Sequence, residues 1–245
     1  MGTLDQPGAG GAFDHILHWR LLPGSHAFPG PDGGTCINEA AVVAAGLPYR
    51  AIRSAADCPP CFSVPLAAYA LGLNDAMPDA ERPRLMAFVL RLAGSAAGPE
   101  VEAARVAHLA RETVRRLLPP ALEQAGLPAE AAACREAGSL DAAVAAAQRA
   151  AWTAGAAAEA SARVTLWVRG ARAAAAGRAA TFAAASADDA RTAADAAEAA
   201  ALFSPATWAE AVAILDEALE IGAPAPAVPV DLARERMAAA RAGVA

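Results

Sequence analysis

Residues 139–160 read SLDAAVAAAQRAAWTAGAAAEA. Alanine is the strongest helix former and is depleted in strands, so this run is helical or it is nothing regular. The same Ala/Arg/Asp/Glu character continues to Phe203. Residues 139–203 therefore read as two or three closely packed helices, because small side chains let helix axes approach. Working outward, 76 of the 245 residues are alanine, and β-branched residues are few and scattered. The expected fold is all-α, a multi-helix bundle or helical array, with an irregular Gly/Pro/Cys-rich N-terminal segment. Trp152, Trp167 and Phe182 recur every fifteen residues, and Gly155 and Gly170 share that offset. They are expected as core aromatics at helix crossings rather than as a functional array.

Three divisions are expected. Residues 1–12 (MGTLDQPGAGGA) have nothing to bury and read as disordered. Residues 13–137 carry a Cys/His loop plus a helical domain. Residues 138–245 form an Ala-rich helical domain packed on the first.

Charge narrows the function. All twenty basic residues are arginine, so P-loop phosphate binding and Schiff-base catalysis, which use lysine, are excluded. A net charge of −6 argues against a general nucleic-acid binder. No run of about 18 residues is apolar enough for a membrane span, and the first twelve residues do not form a signal peptide. The expected setting is cytoplasmic, with no membrane contact and a protein partner or self-association.

Along the chain, Phe13 to Leu22 is a short apolar segment holding His15 and His18, and PGSHAFPGPDGG (23–34) must be an ordered loop or a linker. A helix starts at Thr35 as N-cap, with Cys36 and Glu39 in its first turn, and ends near Ala45 before Gly46 and Pro48. Ser63 opens a second helix to about Leu73, with Asn74 to Pro78 as a turn. Pro78 or Asp79 opens a third, ending at Gly94. Pro99 opens a fourth, reaching Leu118 before Pro119-Pro120. Shorter pieces follow at 121–125 and 129–137. Ser204-Pro205 starts an amphipathic helix with Trp208, Val212, Leu215 and Leu219 on one face, and a last helix begins at Asp231.

The chemistry-bearing residues concentrate between His15 and Cys61. Cys58-Pro59-Pro60-Cys61 is half of many structural zinc sites, and Cys36 with His26 could complete a tetrahedral set. A zinc ion on Cys36, Cys58, Cys61 and His26, with Asp32 behind His26, would supply folding energy to a loop that cannot build a core alone. Cys36 is also a candidate nucleophile with His26 as base, since a thiolate in a helix's first turn is stabilised by the dipole. Cys134 reads as a buried small hydrophobe. Arg111, Arg115 and Arg116 read as a solvated stripe paired with Glu112 and nearby acids.

Three resemblances bear on these residues. Gly34-Thr35-Cys36 leading to Ala45-Gly46-Leu47-Pro48-Tyr49-Arg50 resembles the nucleophile helix of transglutaminase-like cysteine enzymes, which implies a cysteine nucleophile at Cys36. That family's following His and Asp have no counterpart here. A Cys-bearing helix start paired with a downstream CxxC resembles the zinc deaminases, although Glu39 is one position late and Asp57 stands where their proline would. The block GSHAFPGPDGGTCINEAA with DCPPCFS resembles a recurring segment of uncharacterised bacterial proteins, and no activity attaches to it. The expectation that results is a non-enzymatic helical binding protein with a structural zinc site, with an enzyme using Cys36 as the alternative.

Overall fold

In the computed structural model, residues 20–26, 34–204, 206–223 and 226–242 are described. The expected disorder of residues 1–12, together with His15, His18 and Asp32, falls outside them. Among the described residues the protein is all-α apart from one two-stranded parallel pair, β1 (Arg20–Leu21) with β2 (Gly34–Thr35). The helices in chain order are α1 (Ile37–Ala44), α2 (Val64–Ala76), α3 (Pro99–Glu112), α4 (Leu118–Gln124), α5 (Pro128–Arg135), α6 (Leu140–Glu159), α7 (Val164–Phe182), α8 (Thr192–Ala201), α9 (Thr207–Leu219) and α10 (Val230–Ala242). Short 3₁₀ turns cover Ala55–Asp57, Arg82–Leu90 and Asp188–Arg191.

Most expected helices are present with small boundary shifts. The N-cap of α1 is Cys36, not Thr35, which instead belongs to β2. The Cys36 sulfur accepts from the Glu39 backbone N–H, and the Glu39 side chain returns to the Cys36 N–H, a capping box with sulfur in the place of a hydroxyl. Gly46 follows α1 at φ 76, a conformation other residues adopt only with strain. The expected third helix is a 3₁₀ segment only. The expected stop before Pro119-Pro120 does not occur. A π-helical turn at Thr113–Leu117 pairs the Leu118 N–H with the Thr113 carbonyl, and α4 resumes with the prolines in its first turn, where a missing N–H costs nothing.

Two buried clusters hold the fold. The larger gathers α1, α2, the 82–90 turn, Leu109 and Ala110 of α3, much of α9, and Ala233 and Met237 of α10, around large side chains such as Ile37, Leu66, Tyr69 and Met86. The smaller lies among α4 to α8 and is mostly alanine. Helix α8 serves both, with Ala193, Ala194 and Ala197 on one side and Ala196 and Ala200 on the other. The larger cluster thus draws on both sides of the expected boundary at 137, so that boundary does not separate two cores.

The layer α6–α7–α8 is set by small residues. A Cβ on Gly177 would lie 3.0 Å from Ala151 Cβ and 3.1 Å from the Ala147 carbonyl oxygen. One on Gly170 would lie 3.0 Å from both the Ala154 carbonyl oxygen and Ala158 Cβ. Backbones that close leave no space for a large ring between them. The fifteen-residue aromatics are accordingly outside, which corrects the expectation of core residues: Trp152 is 82 % exposed, Phe182 59 % and Trp167 51 %. Gly177→Val should destabilise the protein by about 1–3 kcal/mol through overpacking. The check is the urea midpoint, which should fall while helix content by circular dichroism stays near that of the parent.

Candidate functional site

The polar centre of the N-terminal region is Glu39, which is fully buried in α1. One carboxylate oxygen accepts from Ser25 Oγ at 2.9 Å, the His26 N–H at 3.2 Å and the Ile52 N–H at 3.0 Å. The other accepts from Thr35 Oγ at 3.2 Å and the Cys36 N–H at 2.9 Å. Only a group that accepts at both oxygens satisfies this set of donors. The Tyr49 hydroxyl donates to the His26 carbonyl, closing the arrangement from the side. Glu39 thereby joins the 25–26 loop, β2, the α1 cap and the 49–52 segment.

Asparagine and aspartate of α2 hold the same loop from the other side. Asn74 is fully buried; its Oδ1 accepts from the Ile37 N–H at 3.2 Å and its Nδ2 donates to the Leu22 carbonyl at 2.7 Å. Asp75 accepts from the Gly24 N–H at 2.7 Å and pairs with Arg191 at 2.5 Å. Sequence reasoning assigned these two residues to a turn, yet they lie in the last turn of α2. The signal for them was polar residues continuing an otherwise apolar helix.

The four candidate ligands are placed as follows. Cys36 is fully buried and its sulfur is the α1 cap. Burial, reinforced by the Glu39 charge, raises its thiol pKa well above the ordinary value. That opposes the thiolate a nucleophile needs. His26 works through its backbone N–H and carbonyl, and its Nε2 is buried without a hydrogen-bond partner. Cys58 and Cys61 are half-buried free thiols, and burial pushes the Cys58 thiol up to about 12. They flank a tight turn in which the Phe62 N–H meets the Pro59 carbonyl at 3.0 Å, while Asp57 caps the preceding 3₁₀ turn by accepting from the Arg53 and Ser54 N–H groups at 2.9 Å each. Among the described residues, no group of three or more His, Cys, Asp or Glu is placed to hold a metal ion. Among the described residues His26, Cys36, Cys58 and Cys61 are thus not brought together as one ligand group, while the Glu39 carboxylate ties the 25–26 loop to β2 and the α1 cap.

Outside this region the basic stripe is paired as expected. Arg111 and Arg115 meet Glu112, and Arg116 reaches Glu210 and Glu217 on α9. Cys134 is fully buried in the smaller cluster, and burial pushes its thiol up to about 11.

A second candidate lies on the outer side of α6 and α7. A crevice of about 480 Å³ is lined by Gln148, Trp152, Gly155, Glu159, Arg178 and Phe182 among others. It adjoins a shallower one, reaching from Gln148 and Thr181 to Asp141 and Ala185. Together they follow α6 from Asp141 to Glu159 on one face.

No protein family, curated protein or solved structure matches this chain. Its reading rests on the arrangement of its own residues. No described helix is long and apolar enough to cross a membrane.

Two outcomes follow from the buried centre. Glu39→Gln turns an acceptor into a donor that faces donors, and should cost about 2–4 kcal/mol of stability, read as a lowered urea midpoint. The raised thiol pKa values of Cys36 and Cys58 mean that the folded protein holds protons which the unfolded chain releases from about pH 9. Their contribution is complete below that pH and is lost as the pH rises through the folded values. Unfolding between pH 8 and pH 10.5 should show falling stability, with a smaller fall in Cys36→Ser.

Proposed function

We propose that this protein is a non-catalytic helical binding protein whose α6–α7 groove receives an amphipathic helix of a partner protein. The observation that carries the proposal is the pair Trp152 and Phe182, 82 % and 59 % exposed, lining one crevice from two different helices. Large exposed aromatics in a cluster mark interaction surfaces, whereas single exposed apolar residues do not. The groove's length argues for a helix rather than a small molecule. The lining residues of α6 span Leu140 to Glu159, roughly 28 Å of helix at about 1.5 Å per residue. Its floor is alanine and glycine, which allows a third backbone to approach closely, and its rim carries Glu159 and Arg178 for register.

The zinc site and the Cys36 enzyme are not carried into this proposal. The described residues do not gather the zinc ligands into one group, and for the enzyme the Cys36 sulfur caps α1 in a buried position beside a carboxylate, which opposes a thiolate nucleophile.

The test is a display library of amphipathic helical peptides panned on the purified protein. Selected sequences should repeat apolar residues at i, i+3/i+4 and i+7. Their binding, measured by calorimetry, should be lost in Trp152→Ala and Phe182→Ala while both variants keep the parent's melting temperature, because neither ring is part of the core. Binders that ignore both substitutions would overturn the proposal.

A further inference from the structure

The turn between α6 and α7 and the first half of α7 carry basic residues that, apart from Arg178 further along, do not line the groove. Residues 160–187 contain Arg163, Arg169, Arg172 and Arg178 and no aspartate or glutamate, in a chain whose net charge is −6. All four arginines are exposed. None makes an ion pair among the described residues, although most arginines of α2 to α5 and the turns between them do. Arg163, Arg169 and Arg172 thus leave unpaired basic charge on the first half of α7, with Glu159 the nearest acid along the chain.

Large apolar side chains share that place. Val164 is 76 % exposed, Leu166 40 % and Trp167 51 %. Successive residues of a helix point about 100° apart, so four in a row sample its whole circumference. Val164, Thr165, Leu166 and Trp167 are all exposed. The first turn of α7 therefore has exposed surface around its circumference, although Val164 and Thr165 also border a crevice shared with Leu202 and Phe203. A partner's groove or a second copy would cover one stripe of such a helix and leave the opposite stripe wet. A lipid interface surrounds a protruding tip completely, and tryptophan with arginine is the pair that suits its headgroup level.

We propose that the α6–α7 tip attaches this protein peripherally to an anionic lipid surface. Val164, Leu166 and Trp167 enter the interface, and Arg163, Arg169 and Arg172 meet lipid phosphates around them. Leu202, 58 % exposed, borders the same crevice as Arg169 and Arg172 and widens the apolar side of the contact. The inference does not depend on the groove, since Trp152 and Phe182 take no part in it. A peripheral contact of this kind needs no spanning helix, and none is present among the described residues.

Sedimentation with vesicles tests it, using the full chain and two compositions, phosphatidylcholine alone and phosphatidylcholine with phosphatidylglycerol. The parent should pellet with the anionic vesicles only, and less so as salt rises. Leu166→Ala with Trp167→Ala should abolish pelleting. Arg169→Gln and Arg172→Gln should each weaken partitioning about fivefold. All these side chains are exposed, so melting temperatures should match the parent and report any folding defect separately. Lack of pelleting with anionic vesicles overturns the proposal. So does binding that survives the Leu166/Trp167 double substitution. A dimer in native mass measurements that dissociates on Trp167→Ala, without vesicle binding, assigns the tip to self-association instead.

Discussion

The close contact between α6 and α7 governs the C-terminal half. Gly170 and Gly177 sit where any side chain would press on Ala154, Ala158 or Ala151, so the interhelical space is filled by backbone and methyl groups alone. Dispersion between closely approaching backbones substitutes for the large side chains of an ordinary core. The consequence is geometric. Rings that cannot enter the contact must lie outside it, and α6 and α7 carry three of them in a region with few other apolar side chains. Gly72 repeats the device in α2, where a Cβ would lie 2.7 Å from the Arg191 carbonyl oxygen, so the alanine-rich layer docks closely on the larger core as well.

The N-terminal half rests on a different constraint. A Gly/Pro-rich loop has backbone donors and few apolar side chains, so its order depends on where those donors end. Glu39 collects three backbone N–H groups and two hydroxyls from residues 25–26, 35–36 and 52, and Asn74 and Asp75 of α2 take further backbone donors. A buried carboxylate is costly unless its oxygens are satisfied, and here both are. Burial, reinforced by the charge of the same carboxylate, opposes ionisation of the Cys36 thiol. The two halves thus differ in kind. One is locked around a saturated polar centre, and the other keeps its aromatic and basic groups at the surface, where binding can use them.

The resemblance of the Cys36 helix to cysteine-nucleophile enzymes shows what a local pattern can and cannot carry. A cysteine at a helix start has its thiolate favoured by the dipole in isolation. Glu39, one turn on, reverses the balance once the helix is buried. Spacing places both residues on the first turn, but burial decides which effect prevails.

How much of this was legible in the sequence follows from the range of each interaction. Alanine content, the Gly46 stop, the Trp208 to Leu219 face and the burial of Cys134 are local matters of propensity and periodicity, and the nearby sequence alone determines them. The proline pair at 119–120 misled because a π-turn four residues earlier absorbed the missing hydrogen bonds. The partners of Glu39 and Asn74 lie up to 52 residues away along the chain, and no spacing rule reaches them. The outward aromatics are the plainest case. Their fifteen-residue period was visible, but whether a ring faces the core depends on how near the next helix stands, and only the tertiary contact through Gly170 and Gly177 decided that distance.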